Sequence, residues 1–120
     1  MKKSAGTDRQ CIVRIFNYIR ELEQIIATYN IQSFQDLRIS LAAKYAVTQL
    51  ITNIYELTKA LQELTLQSLT EFNKIKLRTA RQIASHHYDA IEFRTVYNIC
   101  LKLASEIVYN ELNNWFGDDN

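Results

Sequence analysis

The chain has 120 residues, 48% of them hydrophobic and 22% charged, the composition of one globular domain with one core. It has no proline and two glycines, Gly6 and Gly117, which excludes the tight turns of an all-β fold and the interior glycines of a phosphate-binding or dinucleotide loop. Lysine and arginine number 14 against 13 acids, a net charge of +1, so any hold on nucleic acid or membrane has to come from a local patch.

Residues 1–7 are polar and read as a flexible N-terminal tail, without the apolar stretch of a secretion signal. Thr7, Asp8, Arg9 and Gln10 have the form of a capping box, and Ile12, Ile15, Ile19, Leu22 and Ile26 follow at alternating three- and four-residue spacing. That is one face of an amphipathic helix, which Tyr29 and Asn30 should end. Ser33 with Asp36 offers a second N-cap. A long helical segment follows, broken near Ser40, with Val47, Leu50, Ile54, Leu57 and Leu61 on one seam.

Ser68 with Glu71 predicts a cap for a third helix reaching about Ser85, and Asp89 with Glu92 a cap for the last one. The last helix carries Phe93, Val96, Cys100, Leu103 and Ile107 on one stripe and Tyr97, Leu101, Ala104 and Val108 on its neighbour. So wide an apolar arc predicts a central helix or one shared with a second subunit. Gly117, after Trp115 and Phe116, is the predicted stop, and residues 118–120 are an acidic tail. The expectation is an all-α protein, an antiparallel bundle of four or five helices over residues 8–117. Cys11 and Cys100 are the only cysteines and form no CxxC pair. No metal site is predicted, and the cysteine usage fits a reducing cytoplasm. No apolar run is long enough to span a bilayer.

The third predicted helix carries the chemistry. Between Glu71 and Asp89 there is no acid, while Lys74, Lys76, Arg78 and Arg81 lie in the first half. Lys74, Arg78, Arg81, Ser85 and Tyr88 are spaced 4, 3, 4 and 3, one stripe on a helix. The stripe runs into His86 and His87. Histidine transfers protons near neutral pH, and a helix C-terminus favours its protonated form. Arginine holds phosphate and stabilises charge developing on it. Arginine with histidine and no carboxylate cluster points to metal-free phosphodiester chemistry. From the residues alone, a solvated basic face ending in hydrogen-bonded structural histidines stays open beside that reading.

Arg81, Gln82, Ile83, Ala84, Ser85, His86, His87 and Tyr88 fit the pattern R-x4-H-x-Y. This resembles the signature of HepT-like proteins in the HEPN superfamily of helical bundles. Ala46, Val47, Ile51, Ile54, Glu56, Lys59 and Leu61 resemble that family's middle helix, and Val96 with Tyr97 falls where the family often carries Val-Trp. The likeness covers most of residues 10–115. Two positions depart from it: Gln82 stands where the family has Asn, and Tyr55 where the middle helix has Gly.

The resemblance implies a homodimeric, cytoplasmic toxin of a toxin–antitoxin pair, a metal-independent endoribonuclease needing no cofactor. Its implied partner is a minimal nucleotidyltransferase antitoxin that transfers AMP to the motif tyrosine. Carried over, Arg81 and His86 are the catalytic pair, Tyr88 is the AMP acceptor, and Gln82, Ser85 and His87 support them. Lys74 and Arg78 are the expected contacts to RNA phosphates. Ser85 to Asp89 also resembles a stretch of the nucleotidyltransferase substrate-binding family. That gives a second expectation, a non-catalytic module binding nucleotide or a nucleotidyltransferase; a structural dimerisation bundle is the third. Arg81 and His86 are five residues apart, about 500° of helical rotation, so an unbroken helix points them about 140° apart. Either the helix ends before His86 or two subunits compose the site.

Overall fold

The computed structural model describes residues 2–85 and 90–119. Among the described residues every regular element is a helix and there is no strand: α1 (Lys2–Thr28), α2 (Phe34–Ile39), α3 (Leu41–Lys59), α4 (Glu63–Ser68), α5 (Thr70–Asn73), α6 (Leu77–Ser85), α7 (Ala90–Leu103) and α8 (Glu106–Asp119). The first helix has 27 residues, about 40 Å of rise, and sets the long dimension of a 46 × 26 × 19 Å molecule. Helix α3 packs against α1 on one side and α6 on another; α7 packs on α6, and α8 closes against α1 and α5. Among the described residues no helix is long and apolar enough to cross a membrane.

Most of the predicted apolar seams form the core, with Ile26 and Leu57 partly buried at its edge and Ile107 exposed. Ile12, Ile15, Ile19 and Leu22 of α1 are buried against Val47, Leu50, Ile51 and Ile54 of α3, and Phe93, Val96, Cys100 and Leu103 of α7 join the same cluster. Helix α1 ends where Tyr29 and Asn30 predict. Asn30 takes the left-handed conformation, φ 52°. Its N–H reaches Ala27 O at 3.2 Å, and that of Ile31 reaches Ile26 O at 2.9 Å, the bond pattern of a Schellman stop. Ser33 caps α2 by accepting from Asp36 N–H at 3.3 Å, and Asp36 in turn accepts from Gln32 N–H at 2.8 Å. Ser40 makes the predicted break: its Oγ accepts from Ala43 N–H at 3.2 Å and starts α3.

Several expected boundaries and caps are corrected. Helix α1 starts at Lys2, within the predicted tail. Nothing in residues 2–7 stops a helix, since one glycine costs only about 1 kcal/mol. Asp8 is buried, and its carboxylate is used elsewhere: Gln62 N–H donates to Oδ1 at 3.2 Å and the Thr65 hydroxyl donates to Oδ2. It therefore ties α1 to the turn that opens α4, and the expected capping box at residues 7–10 lies inside α1 and starts no helix. Ser68 ends α4, its Oγ donating to Thr65 O at 2.6 Å, and does not cap a third helix. The cap of α5 comes from a distant residue, Glu111 on α8. Its carboxylate accepts from Glu71 N–H at 2.8 Å, Phe72 N–H at 2.7 Å and Thr70 Oγ1 at 3.1 Å.

The third predicted helix is three pieces, α4, α5 and α6. Ile75 and Leu77 are both buried although two residues apart, which an α-helix places about 160° from each other. The chain unwinds between α5 and α6 so that both reach the core. The last predicted helix is likewise two, because Leu103 and Val108 are both buried five residues apart. A break at Ala104 and Ser105 resets the register, and Val108 and Leu112 become the buried positions of α8. Gly117 lies inside α8, which runs to Asp119, well into the predicted acidic tail. The reset leaves part of the wide apolar arc outside: Leu101 is 46% and Ile107 53% exposed, and Tyr109, which the predicted arc does not include, is 46% exposed as well.

Candidate nucleic-acid interface

The basic residues cluster where α5 hands over to α6. Lys74 is the C-terminal boundary of α5, and Lys76 sits between buried Ile75 and buried Leu77 at the start of α6. Arg78 is exposed in the first turn of α6 and Arg81 half-buried one turn on. The first turn of α6 carries no acid, so nothing there offsets the positive end of the helix dipole.

A groove of about 450 Å³ opens at this junction, between Tyr55 and Thr58 on α3 and residues 72–79. Lys74, Lys76 and Arg78 all line it, and no acid does among the described residues. Lys74 pairs with Glu71 at 3.3 Å, but this exposed i,i+3 pair is of the kind worth under about 1 kcal/mol and exchanges readily for a phosphate. Tyr55 is part of the same lining, and the exposed Lys59 ammonium lies 5.1 Å from its ring centroid.

Each predicted site residue has a place or lies outside the described residues. Arg78 and Arg81 are three residues apart on α6 and lie on one face of that helix, of which Ser85 is the last residue. Gln82 is exposed beside them. Lys74 departs from the predicted stripe: it stands before the break and is off α6. It nevertheless meets Arg78 across the groove. His86, His87, Tyr88 and the predicted cap at Asp89 lie outside the described residues. Arg81 Nε is enclosed, and the helix that carries it is held between α3 and α7. That fixes its backbone on two sides.

The sequence counts Lys76 among the basic residues but leaves it off the stripe, and it does not place Tyr55 or Asn73 at the site. The signal for Lys76 was the Ile75–Leu77 spacing. No such signal existed for Tyr55, whose neighbours in the groove are some 20 residues away in sequence. No family model matches the chain, and neither a curated protein nor a solved structure matches it.

Proposed function

We propose that the protein is a metal-independent endoribonuclease, the toxin of a toxin–antitoxin pair, acting as a homodimer. The observation that carries this reading is the basic cluster leading along α6 to Arg81, the first residue of the R-x4-H-x-Y octet, on an all-helical scaffold. In the mechanism His86 takes the proton of a ribose 2′-OH, and the 2′-oxygen attacks the adjacent phosphorus. Arg81 stabilises the charge that builds on the phosphoryl oxygens. The 5′-oxygen leaves with a proton returned by imidazolium, giving a 2′,3′-cyclic phosphate and a 5′-hydroxyl. The exposed Leu101, Ile107 and Tyr109 support the dimer, since a second copy would take this apolar arc out of water. AMP on Tyr88 adds a bulky anion to the motif and silences the protein by charge and size.

The test is cleavage of single-stranded RNA in EDTA by the purified chain, by Arg81→Ala and by His86→Ala. The expected result is cyclic-phosphate product from the parent and a loss of at least 100-fold in each variant. RNA that is bound but left intact would refute the nuclease and favour a non-catalytic binding module. Co-expression with a minimal nucleotidyltransferase should add AMP to the parent and not to Tyr88→Phe, read by mass spectrometry.

A further inference from the structure

We propose that the groove between α3 and the α5–α6 junction is a subsite for one nucleotide of a single-stranded RNA, its base stacked on Tyr55 and its flanking phosphates held by Lys74, Lys76 and Arg78. The inference rests on the reading of RNA as substrate. Three features of the groove carry it. Its volume of about 450 Å³ lies within the range of small-ligand sites. Its charge is of one sign: Lys74, Lys76 and Arg78 line it, and no described acid does. Its lining includes an aromatic residue, Tyr55, and the exposed Lys59 ammonium that rests 5.1 Å from the Tyr55 ring centroid is a side chain a base can displace. Cations tracking a backbone beside an aromatic platform are the recurring chemistry of single-strand binding, because every base has a π-face. A duplex hides that face, so the platform selects unpaired RNA.

The position suits a subsite beside a reacting phosphate. Arg78 and Arg81 are three residues apart on α6, about 4.5 Å of rise and 60° of rotation. A strand leaving the groove at Arg78 therefore meets Arg81 next. Asn73 stands in the same lining and offers an amide to a base edge, while the Thr58 hydroxyl, which donates to Ile54 O at 2.8 Å, offers only its acceptor side.

The experiment uses the full chain and a fluorescein-labelled oligouridylate carrying 2′-O-methyl groups. This probe keeps bases and phosphates but lacks the attacking hydroxyl, so binding is read without cleavage. Anisotropy gives affinity against salt for the parent, Lys76→Gln/Arg78→Gln, Tyr55→Leu and Tyr55→Phe, with circular dichroism confirming that each is folded. The double variant should flatten the slope of log affinity against log salt by about 1.4, the loss of two single-strand phosphate contacts. Tyr55→Leu should weaken binding roughly 5- to 100-fold, and Tyr55→Phe, which keeps the ring, should bind within about twofold of the parent.

Parental affinity and slope in the double variant would overturn the proposal. So would equal losses for Tyr55→Leu and Tyr55→Phe, or equal losses of Tyr55→Leu toward inorganic polyphosphate, which has no base to stack. Cleavage of unmodified RNA is scored separately with Arg81→Ala. RNA held through the groove yet left intact by the parent supports the subsite and defeats the nuclease. RNA cleaved by the parent, with parental binding in every groove variant, defeats the subsite and leaves the nuclease standing.

Discussion

Asp8→Ala removes the acceptor that joins the first helix to the turn before α4. Two donors lose their partner, the Gln62 N–H and the Thr65 hydroxyl, both in part-buried positions. Hydrogen bonds to a charged group contribute about 1.5–3 kcal/mol each, and water partly replaces the acceptor here, so the expected loss is about 2–4 kcal/mol. Unfolding entropy near 2.1 cal/mol/K per residue is about 0.25 kcal/mol/K for 120 residues, so the melting temperature should fall by about 8–16 °C. Asp8→Asn keeps one acceptor oxygen and should lie between. Urea titration followed by far-UV circular dichroism measures the loss, and a cycle with Thr65→Val isolates the pair, with an expected coupling of about 1–2 kcal/mol. Asp8→Ala within about 0.5 kcal/mol of the parent would refute the tie between α1 and α4, because such a value is that of an ordinary surface change.

Two further perturbations test other joints of the fold. Glu111→Gln keeps one carbonyl acceptor for the three donors at the start of α5, so stability should fall by about 1–2 kcal/mol, with faster hydrogen exchange at Glu71 and Phe72. Unchanged exchange there would show that α5 does not depend on that cap. Burial pushes the Cys100 thiol from its ordinary 9.0 up to about 12, so the folded state holds a proton that the unfolded state loses between those values. The stability from keeping Cys100 neutral is present below pH 9.0 and is lost as pH rises toward about 12, at about 1.4 kcal/mol per pH unit. Urea midpoints across that range should fall less steeply in Cys100→Ala, and equal slopes would refute the assignment.

The core was legible because its signal is local. Three- and four-residue spacing of Ile12, Ile15, Ile19 and Leu22 puts four apolar side chains on one face whatever lies opposite. The stops at Asn30 and Ser40 were legible for the same reason, since each acts within about one turn of itself. What was illegible depends on partners far along the chain. Asp8 lies inside what reads as a local capping box, yet its donors are 54 and 57 residues away. The cap of α5 is supplied by Glu111, 39 to 41 residues away, and no pattern around Ser68 announces it. The octet beginning at Arg81 was readable as a motif, but the groove next to it required α3 to be packed on α6.

The basic stripe shows how an apolar requirement can assemble a charged site. On one continuous helix Lys74 and Arg78 share a face, and Lys76 points about 160° from both, out of reach of any ligand they hold. The buried pair Ile75 and Leu77 forbids that helix, because both side chains must face the core from positions two apart. The chain unwinds there, and the cost in helical hydrogen bonds is limited by turns such as Leu77 N–H to Ile75 O at 2.9 Å. The same unwinding turns Lys76 into the groove with Lys74 and Arg78 and opens the start of α6 toward them. Substituting Ile75 by a polar residue thus acts on charge as well as packing. Released from the core, the segment regains the option of a continuous helix, in which the three cations no longer converge.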